Sequence, residues 1–319
     1  MVDIYFSESF PNLYSNIEDG EPVNFVFENS NGKVIHNFIK RQIENTDYYD
    51  ITSPYGYGGP YIADTEEKAN KSELIQDYLK SYQDYCEKNN IVSEFVRFHP
   101  LYDNVSDFEN FYDTEAIRKI VITDLTVDDV FQDQFSKSCR KKIRKLLKNE
   151  LIEYEIIEQP QHIEDFYKVY YSTMDRNQAD DYYYFDKNYF ENALSLYREN
   201  IVQTNILYDS KVIASGFYFV SDGNIHLHLS GTLSEYLELS PAYLLRYAII
   251  MWGSENGYSY VNNGGGRSRD ENDSLFRFKS RFGKKLNDFY IGKKIYKPEV
   301  YNELSKNKTG EFFPAYRQK

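Results

Sequence analysis

The sequence predicts a mixed α/β (α+β) protein of two lobes, and three observations carry that expectation. A chain of 319 residues is long for one core and comfortable for two of roughly 150 residues each. Hydrophobic residues make up 41% and charged residues 27%, enough apolar material to close folded cores and too much for disorder. Strand-like alternation and helix-like spacing also follow one another along the whole chain.

The elements are read in order. Residues 23–28 (VNFVFE) and 33–39 (KVIHNFI) alternate on either side of Asn29-Ser30-Asn31-Gly32, which predicts a hairpin. The stretch SPYGYGGPY at 53–61, with three glycines and two prolines, predicts an irregular loop that projects its tyrosines. Across 65–89, Leu74, Tyr78, Tyr82 and Tyr85 recur at helical spacing, and residues 91–98 and 117–125 read as strands. One helix is expected over 127–149. It becomes basic, since seven of the twelve residues from Lys137 to Lys148 are cationic while Ile143, Leu146 and Leu147 form an apolar edge. That run reads either as a solvated face near a domain joint or as a phosphate-contacting surface for a nucleotide or tRNA.

A second α/β unit follows: a strand at 152–157, helices at 163–176 and 186–198, and a hairpin of 202–208 with 212–220 turning at Asp209-Ser210. The strand 225–229 places His226 and His228 on one face. Ser240 is expected as a helix N-cap with Pro241 at the first position, the helix running to Asn256 and stopping at Gly257. A strand at 258–261 is broken by Asn263-Gly264-Gly265-Gly266.

The net charge of -13 disfavours a broad polyanion-binding face unless cations are concentrated locally. The first ten residues do not read as a signal peptide and no 18-residue apolar run is present, so a cytoplasmic, soluble protein without a transmembrane segment is expected. Cys86 and Cys139 lack CxxC spacing and are expected to be reduced, and no metal site is expected. The 32 tyrosines and 22 phenylalanines exceed what core filling requires, which places some tyrosines on surfaces or in clefts.

In the last third of the chain, Leu244-Leu245-Arg246-Tyr247 leads to Trp252, Glu255-Asn256-Gly257-Tyr258, Asn263-Gly264-Gly265 and then Leu275-Phe276-Arg277-Phe278-Lys279-Ser280-Arg281-Phe282-Gly283. Upstream lie Arg140-Lys141-Lys142-Ile143-Arg144-Lys145, Phe166-Tyr167, Arg176 and Tyr189-Phe190, and the chain ends with Phe312-Phe313-Pro314-Ala315-Tyr316-Arg317. This series resembles the Fem family, two-lobed transferases related to the GNAT acyltransferases that include peptidoglycan aminoacyltransferases. The resemblance implies two GNAT-like lobes facing across a cleft, each a mixed, mostly antiparallel sheet flanked by helices. They are expected at 1–148 and 149–299, with a final strand within 300–319 returning to the first.

The resemblance also implies an acyltransferase acting on an amine. The donor is expected to be acetyl-CoA or another acyl-CoA, and the acceptor a small molecule or sugar nucleotide, an envelope or polysaccharide precursor. An aminoacyl-tRNA donor is the alternative, and a non-catalytic glycan- or nucleotide-binding protein is a reading from another class. Lys279, paired with Phe278, matches a family position serving the acceptor or the developing charge. A fixed ammonium there would stabilise the oxyanion formed when an amine attacks an ester or thioester; the alternative is an exposed lysine beside Arg277 and Arg281. Arg176 and Arg267 are candidate donors to an acceptor phosphate or carboxylate. Tyr55, Tyr57 and Tyr61 are candidates for stacking on a sugar or base, and His228 for contacting substrate or acting as a base. Ser240, Ala242 and Tyr243, at a helix start, are placed for a cofactor pyrophosphate, although 232–241 (TLSEYLELSP) lacks the usual glycine signature.

Overall fold

The computed structural model describes residues 2–66 and 69–318. The first elements are β1 (Glu21–Asn29), β2 (Gly32–Gln42), β3 (Tyr49–Thr52), β4 (Tyr61–Thr65), α1 (Lys71–Lys88), β5 (Ile91–Arg97), α2 (Asn104–Phe108) and β6 (Asp113–Asp124). Then come α3 (Val130–Asp133), α4 (Lys137–Leu147), β7 (Ile152–Glu158), α5 (Glu164–Asn177), α6 (Lys187–Tyr197), β8 (Ile201–Tyr208) and β9 (Lys211–Ser221). The chain continues through β10 (Asn224–Thr232), α7 (Ala242–Glu255), β11 (Tyr260–Gly265), α8 (Ser274–Lys279), β12 (Lys285–Ile295) and α9 (Pro298–Leu304). The fold is mixed α/β, as the sequence predicts.

Two compact units form. One comprises residues 4–117 and 288–319, the other 118–287 together with Asp3. The expected division at 148/149 therefore moves to 117/118. The cause is packing: Cys139 and Ile143 of α4 lie in one apolar cluster with Ile249 and Ile250 of α7, so the basic helix belongs to the second unit. The expected terminal strand within 300–319 is also corrected. Lys297-Pro298 opens α9 there instead, proline fitting a first helical turn, and the strand is β12, at 285–295.

In the first unit the strands run β1-β2-β3-β5-β12, with β4 paired to β2. The β1/β2 hairpin turns at Asn29↔Gly32. The predicted helix at 65–89 starts late because 61–65 pairs as β4 and Asn70 caps α1, its side chain accepting from Glu73 N at 3.2 Å, a contact worth ~1 kcal/mol. Leu74, Tyr78, Tyr82 and Cys86 form the inner stripe of α1 and pack on Val34, Phe38, Ile51, Ile91 and Val96. Buried in that core, Glu94 accepts from Tyr296 (2.6 Å), Tyr82 (3.0 Å) and Tyr112 (3.2 Å).

In the second unit the order is β6-β11-β10-β9-β8-β7, antiparallel except for the parallel pair β10/β11. The helix expected over 127–149 is two helices, because Asp129 caps α3 and Ser136 caps α4, the latter accepting from Cys139 N at 3.3 Å. The helix β10-to-β11 crossover, α7, is apolar on its inner face through Leu244, Leu245, Ala248 and Ile249.

Candidate active site

Strands β10 and β11 pair only over Asn224↔Tyr260, Ile225↔Val261 and His226↔Asn262, although β10 continues to Thr232 and β11 to Gly265. Both are irregular at the point of separation: β10 bulges between His226 and Leu229, and β11 between Asn262 and Gly265. A bulge re-aims side chains and frees backbone groups. The bulge in β10 also breaks the simple alternation expected for His226 and His228.

The end of β11 is where the charged groups gather. Lys279, the last residue of α8, donates from Nζ to the Gly265 carbonyl at 2.8 Å. Arg118, on β6, donates from Nη1 to the next carbonyl, Gly266 O, at 2.9 Å. Arg246, on α7, has Nη1 3.4 Å from Asn263 Oδ1 and its guanidinium over the rings of Phe278 (5.3 Å) and Phe282 (5.8 Å). Thus Phe278 acts as a platform for Arg246. Burial pushes the Lys279 amine down to about 7, with the charges of Arg246 and Arg118 adding to the effect and Asp273 opposing it. Burial likewise pushes Arg246 down to about 10.

The backbone strip is shaped to receive these groups. Gly264 has φ +73, a conformation that favours glycine, and a Cβ there would lie 2.8 Å from Lys279 Nζ, so a larger residue would strain the backbone and displace the ammonium. Asn262 Oδ1 accepts the Gly264 amide at 2.9 Å. Asn262 Nδ2 is 3.5 Å from His226 Nδ1, and His226 Nε2 is 2.8 Å from Asp3 Oδ2. The carboxylate calls for a proton on Nε2, leaving Nδ1 as acceptor for the amide. Asn263 Nδ2 donates to Thr123 Oγ1 at 2.8 Å, anchoring the strip to β6.

The other predicted residues are placed as follows. Arg176 donates to Thr232 O (2.8 Å) and Ser234 Oγ (3.2 Å), tying the end of α5 to the turn after β10. Arg267 is exposed. His228 is 2.7 Å from Tyr189 OH through Nε2, and burial, with His226 adding, pushes its imidazole down to about 3. The loop tyrosines pack on other rings of the first unit: Tyr57, buried, on Tyr5, His99 and Phe289, while the half-buried Tyr61 stacks on Phe6 at 4.3 Å and the half-buried Tyr55 faces Tyr14.

Ser240 does not cap α7. It has φ +59 and no capping hydrogen bond, and Pro241 takes the cap position. The amides of Ser240, Tyr243, Leu244 and Leu245 are bonded to the carbonyls of Leu237, Ser240 and Pro241. The Tyr243 ring packs on Phe278 and Phe282 while its hydroxyl accepts from Arg281. Arg118, Asn262 and Asp273 escaped the sequence reading as site residues; the glycine run after a strand was the one signal pointing toward them.

Residues 133–280 match the family model described as an acetyltransferase (GNAT) domain, a span that contains α4, the diverging strands and Lys279. By that match the chain carries a GNAT acyltransferase domain. Its fold is of the Fem type: the crystal structure of FemX matches it with a TM-score of 0.73 at 12% identity, covering 94% of each chain. L-PGS from Bacillus licheniformis matches at 0.55 and 14% identity, covering 91% of this chain and 93% of that one. The C-terminal domain of a putative lysylphosphatidylglycerol synthetase from Agrobacterium fabrum matches at 0.55 and 14%, covering 90% and 87%. No curated protein matches by sequence. Among the described residues no helix is long and apolar enough to cross a membrane.

Proposed function

We propose that the chain transfers an aminoacyl group from aminoacyl-tRNA to an amine of an envelope precursor in the cytoplasm, with Lys279 stabilising the charge that develops on the carbonyl oxygen. The observation that carries the choice of donor is the start of α7. A pyrophosphate cradle needs several free amides at a helix N-terminus. Here Pro241 has none, and those of Ser240, Tyr243 and Leu244 are turned onto the carbonyls of Leu237, Ser240 and Pro241. Support comes from α4, where Lys137, Lys141, Arg144, Lys145 and Lys148 are exposed and, among the described residues, in no ion pair with a carboxylate. An RNA phosphate backbone suits such a face even in an acidic chain.

The chemistry is one exchange of bonds. The neutral amine attacks the ester carbon, a C–N bond forms, the carbonyl electrons move to oxygen, and the C–O bond to the tRNA then breaks. The departing oxygen takes up the proton lost by the amine. Lys279, partly withdrawn from water and fixed on Gly265, offers its ammonium to the oxyanion, and a low-dielectric setting strengthens that contact. Phe278 serves by holding Arg246.

The second reading, transfer of an acetyl group from acetyl-CoA to an amino sugar or sugar nucleotide, is favoured by the family match over 133–280. Calorimetric titration with acetyl-CoA, beside a radiolabel transfer assay using charged tRNA and peptidoglycan precursors, decides between them. Label moving from tRNA with no heat from acetyl-CoA is the expected result; micromolar acetyl-CoA binding without transfer from tRNA would replace the proposal with the second reading.

A further inference from the structure

Arg118, Arg246 and Lys279 meet along residues 263–266, and among the described residues none of the three forms an ion pair with a carboxylate. Asp273, the acidic group that acts on Lys279, caps α8 by accepting from Phe276 N at 2.9 Å and forms no ion pair with Lys279. Among the described residues, Arg118 Nε is shielded from solvent and has no hydrogen-bond partner, and Arg246 has only the long contact to Asn263 and the two phenylalanine faces.

Gathering three partly desolvated cations with no carboxylate paired to any of them is costly, and a buried N–H left unbonded adds to the cost. A transient oxyanion accounts for one ammonium. It does not account for two guanidinium groups beside it, whose planar donor forks suit a group with two or three oxygens. We propose that this cluster binds a permanent anionic group, a carboxylate or a phosphate carried by one of the substrates, and that Arg118 is the residue that receives it. The role of that group in the reaction rests on the reading of Lys279 as part of the transfer site; the anion site itself rests on the geometry of the three cations. Such an anion, once bound, holds its substrate by a point next to Lys279 and fixes the reacting carbonyl or amine in place.

The test is protection of Lys279 from an amine-acylating reagent at about neutral pH, where a lysine of depressed pKa reacts as the free amine and one held protonated by a bound anion does not. Labelling is read by peptide mass spectrometry, with the exposed Lys284 as internal reference. The probes are inorganic phosphate and glutarate, each compared with chloride at equal ionic strength. Saturable protection of Lys279 by about tenfold, with Lys284 unchanged, is expected, and the probe effective at lower concentration identifies phosphate or carboxylate as the source. In Arg118→Gln the half-protecting concentration rises about tenfold, the equivalent of one charge-assisted hydrogen bond.

Arg118→Lys keeps the charge without the fork and gives an intermediate value; it carries the test should Arg118→Gln fail to fold by circular dichroism. No protection by either probe, protection that moves Lys284 equally, or the same protection in the folded Arg118 variants as in the parent overturns the proposal. Neither acyl-CoA nor charged tRNA is present in this experiment, so failure of either transfer assay leaves its outcome unaffected.

Discussion

Replacing Lys279 by methionine should slow transfer sharply while making the protein more stable, and the two effects have one origin. In the folded chain burial holds the Lys279 amine at about 7, below its ordinary 10.5. Below about pH 7 the lysine is protonated in both folded and unfolded states, and the folded state bears the whole cost of the desolvated charge. Between about 7 and 10.5 the unfolded chain binds more protons than the folded one, so this contribution to stability rises with pH; above both values the cost is gone. A shift of this size corresponds to at most ~5 kcal/mol at about 1.4 kcal/mol per pH unit. Water around the partly exposed side chain screens part of it, leaving ~1–3 kcal/mol. Methionine has similar length and no charge, so Lys279→Met should raise the melting temperature by roughly 3–10 °C near pH 6, with the gain shrinking toward about pH 10. Transfer should fall about 10²–10³-fold in kcat, the usual consequence of losing one oxyanion partner. Scanning fluorimetry across pH and steady-state transfer measure the two quantities. A variant that melts lower than the parent near pH 6, or a gain that grows with pH, would refute the reasoning.

Gly264→Ala puts a Cβ against the Lys279 ammonium at a positive φ, so it should cost ~1–3 kcal/mol in stability and reduce kcat about tenfold or more, as read by chemical denaturation and the transfer assay. Asn262→Ala removes the acceptor for the Gly264 amide and should lower kcat with little change in KM; if KM alone moves, the carboxamide is binding substrate instead of holding the strip. Arg176→Ala loses the ties to Thr232 and Ser234 and should cost ~1–2 kcal/mol with kcat retained, so a collapse of kcat at unchanged stability would return it to the site. In the first unit, burial raises Glu94 to about 7 despite three tyrosine hydroxyls that favour its ionised form. A carboxyl raised above its unfolded value of about 4.3 contributes stability at low pH that is lost as pH climbs from there to about 7. Glu94→Gln should flatten that decline, and an unchanged pH profile of the melting temperature would show that another group causes it.

The periodic elements were legible because their periods are set by burial. The α1 stripe of Leu74, Tyr78, Tyr82 and Cys86 is inward at every fourth residue, and the β1/β2 hairpin was announced by Asn29-Ser30-Asn31-Gly32. What escaped were boundaries and uses. A single basic helix was expected where Asp129 and Ser136 each cap a separate one, because both residues also occur inside helices and only the bonded amide distinguishes the roles. Ser240 followed by Pro241 is a good capping pair on paper, yet Ser240 adopts a left-handed conformation and the cap passes to Pro241. The tyrosines of 53–61 looked available for a ligand because glycine and proline surround them. Their rings meet Tyr5, Phe6 and Tyr14, residues more than forty positions away, a relation that no local pattern records. Lys279 was singled out by motif, whereas Arg118, about 160 positions earlier on β6, carries no motif and comes near it only through the pairing of β6 with β11.

The distribution of positive charge in the second unit bears on which donor it handles. A GNAT-like lobe can meet an anion with backbone amides at the start of the helix after the diverging strand, or with side chains. Here the first option is largely closed by the 3₁₀-type bonds of Ser240, Tyr243 and Leu244, and the charge stands on Arg118, Arg246 and Lys279 at the end of β11 and on the exposed face of α4. Amides at a helix start present a compact partial charge suited to one pyrophosphate. Lysines and arginines spread along a helix present a long, salt-sensitive surface suited to a phosphate backbone. Neutralising Lys141 and Lys145 should therefore weaken a tRNA donor and flatten the salt dependence of transfer, while a CoA donor, met at a single point, would be indifferent to both.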